Sequence, residues 1–171
     1  MKIRKADLRD ALDVAKVQVD GWRTTYKNIV PDQYLKQMTY KDREKRWIDI
    51  ISNSDQAVFV AEDESGKIIG FSSGGDERTG KYPQYPGELY AIYILAEHQR
   101  RGMGKKLFNS VVESLKQKGI SAMTVFVLED NKSRLFYEHL GARKIDTVGI
   151  ELSGKKLNEL VYGWEDITEI S

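Results

Sequence analysis

Hydrophobic positions change their spacing several times along this chain, and each change marks an element. Lys2 to Lys5 reads as a short first strand. Asp7 then stands as an N-cap before Leu8, Ala11, Leu12, Ala15 and Val19, which form one apolar stripe on a helix running towards Gly21-Trp22. Pro31 opens a second helical stretch to about Ile51, with Tyr34, Leu35, Met38, Trp47 and Ile51 as its apolar members. Ala57 to Ala61 is apolar throughout, meets the turn residues Asp63-Glu64-Ser65-Gly66, and returns as Ile68 to Ser72. That pattern is a strand, a hairpin turn and a second strand.

From Gly74-Gly75 to Pro86-Gly87 the chain is polar and reads as a mobile loop, with Tyr82 and Tyr85 available to close over the middle of a sheet. Glu88 to Leu95 is the next strand. Leu107, Val111 and Leu115 set the register of a helix that begins at Met103 and closes at Lys118-Gly119. Ala122 to Leu128 has the look of a buried strand. Asn131 caps a short helix carrying Leu135, Phe136 and Leu140, with Gly141 at its exit. Arg143 to Leu152 and Lys156 to Trp164 form a hairpin around Ser153-Gly154. The order β-α-α-β-β-β-α-β-α-β-β predicts an α/β fold with a mixed sheet flanked by helices, formed as one domain over residues 1–171.

Composition narrows the chemistry. A formal net charge of +1 provides no global field for nucleic acid, so local basic clusters are sites or solvated faces. Cysteine is absent, which excludes disulfides, thiolate metal sites and a cysteine nucleophile. The two histidines, His98 and His139, lie far apart in sequence, and no metal centre is expected. No apolar run has signal-peptide or membrane-span length, so no membrane partner and a cytoplasmic location are expected.

The densest chemical signal is Gln99-Arg100-Arg101-Gly102-Met103-Gly104-Lys105, placed where a strand hands over to a helix. N–H groups in the first turn of a helix lack intrahelical partners and suit phosphate oxygens. Glycines at alternate positions let the backbone approach a ligand closely. A nucleoside triphosphate loop is excluded, because Lys106 stands where Ser or Thr is needed and Gln99 where the first glycine is needed. A dinucleotide fingerprint is excluded by Leu107 in place of the third glycine. By itself the stretch also fits a helix start with a basic surface.

Three linked blocks extend it. Gln99 to Gly104 is similar to the Q/R-x-x-G-x-G/A cofactor motif of the GNAT superfamily of acetyl-CoA-dependent acyltransferases. The apolar strand Ile92-Tyr93-Ile94 precedes it, and Asn131 with Phe136-Tyr137-Glu138-His139-Leu140-Gly141 follows it as that family's third block does. The resemblance implies a mostly antiparallel sheet of about seven strands with about four helices, its central strand pair splayed to form a CoA cleft. It implies acetyl-CoA as co-substrate, without a metal, and a small-molecule primary amine as acceptor. Backbone N–H groups of Arg101, Gly102, Met103, Gly104 and Lys105 would hold the pyrophosphate. The strand at Ile92-Tyr93-Ile94 would bulge and pair with the pantetheine arm, one of its N–H groups polarising the thioester carbonyl.

Individual residues keep two readings each. Asn131 is a pantetheine ligand, a helix N-cap, or both. Tyr137 matches the family's general acid, and it also suits a core position. Glu88, four residues before Ile92, matches the base of the histone-acetylating branch, and it could equally be an exposed carboxylate after Pro86-Gly87. Alternation places Glu88, Tyr90 and Ile92 on one strand face. Phe126 stands where another branch of the family carries its base, so that base is missing. Ala96 replaces a common proline, and Ala142 a common aromatic. On the acceptor side Trp22 and Tyr26 are four apart, which suits a cleft wall or plain core packing. A catalytically weak acyl-CoA-binding regulatory module and a protein N-terminal or lysine acetyltransferase are the alternative functions, and the final hairpin leaves room for a homodimer.

Overall fold

A computed structural model describes residues 1–170. Seven strands form one sheet in the order β1-β2-β3-β4-β5-β7-β6. They span Lys2–Lys5 (β1), Ala57–Glu62 (β2), Ile68–Asp76 (β3), Gly87–Ile94 (β4), Met123–Leu128 (β5), Arg143–Leu152 (β6) and Lys155–Trp164 (β7). The helices are Ala11–Thr25 (α1), Asp32–Gln37 (α2), Tyr40–Asn53 (α3), Met103–Gln117 (α4) and Ser133–His139 (α5). One face of the sheet packs α1 and α3 through Val14, Trp47, Val60 and Phe71. The other packs α4 and α5 through Leu89, Phe108, Val111 and Val125.

Helices number five because the stretch from Pro31 to Ile51 is two helices, not one. Met38 is extended at ψ 121°, and Thr39 is extended too, its side chain accepting the Asp42 N–H at 3.1 Å. A threonine cap outcompetes helix continuation there. Asp7 caps as expected, in a reciprocal pair with Asp10, but first over a 3-10 turn, Leu8–Asp10, that leads into α1. The stripe expected on α1 is rotated. Leu8 and Leu12 are exposed, while Val14 and Val17 join Ala11, Ala15 and Val19 in the interior.

Strand β3 runs on to Asp76, four residues past its expected end at Ser72 and into the expected loop. Gly74 and Gly75 are there because their neighbours crowd them. A Cβ on Gly74 would lie 2.5 Å from Val111 Cγ1 and 2.9 Å from the Glu88 carbonyl oxygen. The remaining loop is seated rather than free: Tyr85 is buried with its ring on Gly163, and the Tyr82 hydroxyl donates to Asp146 at 2.7 Å.

Two features of β4 create the site. It pairs with β5 in parallel only at Gly87↔Met123, Glu88↔Thr124 and Leu89↔Val125, after which the strands part. Against β3, its register skips Tyr90 between Leu89↔Gly74 and Ala91↔Ser73, which is a β-bulge. The bulge flips the alternation. Ile92 packs with the α4 face, whereas Ala91 and Tyr93 lie with α1. The expectation that Glu88, Tyr90 and Ile92 share one face fails for that reason.

Candidate active site

The parting of β4 from β5 opens a cleft of about 350 Å³. Its walls are Tyr90 to Ile94 of β4, Val125 to Val127 of β5, the last turns of α1, and Asn131 and Tyr137 on the α5 side. At its open end the Gln99 side-chain amide donates to the Ile94 carbonyl at 3.0 Å, tying strand to cradle. Arg100 at φ 64° and Gly102 at φ 81° turn the chain into α4. Among the described residues, the N–H groups of Arg100 to Lys105 find no acceptor. The Arg100, Arg101 and Lys105 side chains are exposed around them, while the Met103 side chain is buried, leaving only its backbone to a ligand. A Cβ on Gly104 would meet Phe136 and Ile94 at no less than 3.5 Å, so the protein's own packing does not demand that glycine.

Deeper in, Tyr26, Tyr93, Tyr137 and Asn131 gather. Asn131 uses its carboxamide at both ends: Oδ1 accepts the Ser133 N–H and Nδ2 donates to the Tyr26 hydroxyl, each at 2.9 Å. It thus serves the start of α5, one position before the residue that caps it, and fastens that start to α1. Burial pushes the Tyr137 phenol above the usual tyrosine range, and nearby Tyr26 adds to this. Burial likewise raises Tyr26, against the pull of the Asn131 hydrogen bond. Trp22 lies tilted against Tyr26 at 4.3 Å and against Tyr34 at 5.9 Å, within an aromatic cluster that supports Tyr26. Gly21 lets Tyr93 lie against α1, since a Cβ there would come within 2.9 Å of the ring.

Glu88 is 2% exposed, on the stretch of β4 that still pairs with β5 before the cleft opens. Its carboxylate accepts from the Arg78 backbone N–H at 3.1 Å, from Nε at 3.3 Å and from Nη2 at 2.7 Å. The guanidinium lies 4.1 Å from the centre of the Tyr90 ring. Neither a free base nor an exposed carboxylate describes Glu88, which is shielded by a cation that would have to move for it to meet an amine. Tyr90 donates to the Asp76 carbonyl at 2.6 Å, and burial together with the Glu88 charge pushes its phenol up to about 12. On β7, beyond β5, Glu159 is half-buried, and its carboxyl is raised by burial and by Glu88, with Arg78 opposing.

The structure brings Tyr26, Tyr90, Ile92, Tyr93, Ile94, Gln99, Asn131 and Tyr137 together in one cleft and leaves Trp22 and Glu88 outside its lining. The sequence reading missed Arg78, Glu159 and Gly21. Arg78 sits in a polar run with no period to mark it, and Glu159 follows Lys155, Lys156 and Asn158 in the polar first half of β7. Gly21 alone left a trace, as a glycine inside a helical stretch.

The model of the acetyltransferase (GNAT) family matches residues 21–142. An uncharacterized N-acetyltransferase of Bacillus subtilis (strain 168) is 43% identical over 168 residues, which is 98% of this chain and 95% of that protein. A spermidine N(1)-acetyltransferase of Thermoplasma acidophilum is 26% identical over 93% of this chain and 98% of its own length. A solved N-acetyltransferase of the same organism, in complex with coenzyme A, superposes with a TM-score of 0.73 over 95% of this chain and 96% of its own, at 21% identity. A ribosomal-protein-alanine N-acetyltransferase from Brucella melitensis does so at 0.76 over 96% and 99%, with 18% identity. At these identities the two structures speak for the fold. Among the described residues, no helix is long and apolar enough to cross a membrane, and no group of three or more His, Cys, Asp or Glu is placed to hold a metal ion.

Proposed function

The chain belongs to the acetyltransferase (GNAT) family, and from that premise we propose that it transfers the acetyl group of acetyl-CoA to a primary amine of a small molecule by direct attack in a ternary complex. Polyamines, amino acids and related metabolites are the acceptors this reading admits. The observation that carries it is the parting of β4 from β5 after Leu89, which leaves the β4 backbone from Tyr90 to Ile94 open along one edge. An extended pantetheine arm can add to that edge as another strand would. The N–H groups from Arg101 to Lys105, lacking acceptors among the described residues, suit the pyrophosphate of the same molecule. The relatives solved with coenzyme A and active on spermidine support the same reading.

Acetyl-CoA supplies an activated acyl group with a thiolate leaving group. This chain's residues orient it and manage the protons. A β4 N–H beside the bulge polarises the thioester carbonyl. Tyr137, held protonated by burial, gives its proton to the departing sulfur. A thiol pKa of about 8.5 makes that help modest in size. Asn131 and Trp22 fix Tyr26 at the same end of the cleft.

The test is thiol release from acetyl-CoA with a panel of alkylamines, amino acids and peptide N-termini. Turnover on a small amine is expected. Turnover confined to peptides would transfer the assignment to protein acetylation. Tight acetyl-CoA binding with no thiol from any acceptor would replace it with a regulatory acyl-CoA-binding module.

A further inference from the structure

One carboxylate on the acceptor side is left without a partner. Glu159 lies on β7 opposite Leu128 of β5, and Leu157, two residues before it, packs with Leu128 and Tyr26 on the α1 face. Among the described residues, the Glu159 carboxylate makes no hydrogen bond and no ion pair. The charged and titratable groups that feel it are Glu88 on β4, Arg78 and Tyr82 from the loop after β3, and Tyr26 at the end of α1. Glu88 is already engaged by Arg78, and each largely cancels the other's charge. Glu159 has no such partner, and it lies on the sheet face that Leu128 shares with Phe126 of the cleft wall. A half-buried carboxylate with no cation of its own is unfavourable for the protein alone, and a cationic ligand relieves it.

We propose that Glu159 binds the ammonium of the acceptor and takes the proton that the amine must lose before attack, which makes the acceptor a cationic primary alkylamine with no carboxylate beside its nitrogen. This rests on the acetyl-transfer reading above. The protons and bonds balance as follows. The ammonium gives one proton to the Glu159 carboxylate, leaving a neutral amine and a carboxylic acid. The nitrogen lone pair forms the bond to the acetyl carbon while the C–S bond breaks, and the sulfur leaves with that electron pair and takes the Tyr137 proton. The new amide nitrogen sheds its surplus proton through water to the Tyr137 phenolate, and Glu159 returns its own to solvent. Because burial and Glu88 raise the Glu159 carboxyl, its proton affinity is closer to that of an amine than an exposed glutamate's would be.

The experiment compares the parent with Glu159→Gln and Glu159→Asp, using spermidine, diaminobutane and α-amino acids, from roughly pH 6.5 to about pH 9.5. For Glu159→Gln, kcat/KM for the alkylamines should fall about 100-fold near neutral pH, and the deficit should shrink as pH rises towards the amine pKa and free amine accumulates. Acetyl-CoA affinity should be unchanged, and Glu159→Asp should restore part of the activity by keeping the charge. The parent should prefer alkylamines to amino acids. A Glu159→Gln enzyme within about threefold of an active parent, a deficit constant with pH, or a parent preference for amino acids would overturn this proposal and leave acetyl transfer standing. A parent that releases no thiol with any amine would overturn both.

Discussion

Arg78→Ala takes the cation away from a carboxylate that is 2% exposed, and the cost can be bounded from the structure. Alanine keeps the backbone N–H that reaches Glu88 at 3.1 Å and loses the Nε and Nη2 contacts at 3.3 and 2.7 Å. Breaking a buried pair by removing one partner costs roughly 3–5 kcal/mol. The Arg78 side chain is 57% exposed, so water already shares in its solvation and the lower part of that range applies. Losing the guanidinium from the Tyr90 face adds about 0.5–1 kcal/mol. The expected loss is therefore about 3.5–4 kcal/mol at pH 7. Urea unfolding followed by tryptophan fluorescence measures it. A deficit below about 1 kcal/mol would refute the reasoning. Adding Glu88→Gln should recover much of the loss, because no charge is then left stranded.

Three further outcomes follow from other contacts. Gly163→Ala would put a Cβ 2.6 Å from Tyr85 Cε1, so a loss of about 1–3 kcal/mol is expected. A Tyr85→Ala background should absorb most of it, and an additive double-mutant cycle would show that the ring does not sit there. Asp10→Asn should cost about 1–3 kcal/mol at pH 7 by weakening the hydrogen bonds from Arg4 at 2.7 and 2.8 Å. Those bonds hold the Asp10 carboxyl below its usual range, so its contribution is present above the unfolded pKa and lost as pH falls through the folded one. The gap between parent and variant should accordingly begin to close in unfolding experiments as pH falls below about 4. Tyr137→Phe should lower kcat about 100-fold with acetyl-CoA affinity intact, and an unchanged kcat across the amine panel would remove Tyr137 from the chemistry.

How legible the molecule was depended on how local each cause is. The final hairpin was readable because Ser153 and Gly154 take φ of 47° and 84°, a turn that depends on two adjacent residues. Gly119 and Gly141 ended their helices for the same short-range reason, with φ of 80° and 96°. The cradle belongs with these, since two glycines and the first turn of α4 make it without help from elsewhere. The break at Thr39 was also local, but the apolar spacing from Tyr34 to Ile51 masked it. Leu8 and Leu12 looked like core because periodicity reports a face and not which way that face is turned; the packing of α1 on β3 and α3 decided this.

The chain by itself determined the element order, the turns, the glycine stretch that starts α4 and the placing of Asn131 and Tyr137 at α5. All of these rest on spacings of a few residues, which backbone geometry converts directly into structure. Only the tertiary structure decided that a bulge at Tyr90 reverses the faces of β4. It alone showed that Arg78 occupies Glu88 and that Glu159 stands unpaired on β7. Those outcomes depend on which strands become neighbours and on what each side chain meets across the sheet, and burial sets their energies. Neither quantity is written in the spacing of residues along one strand.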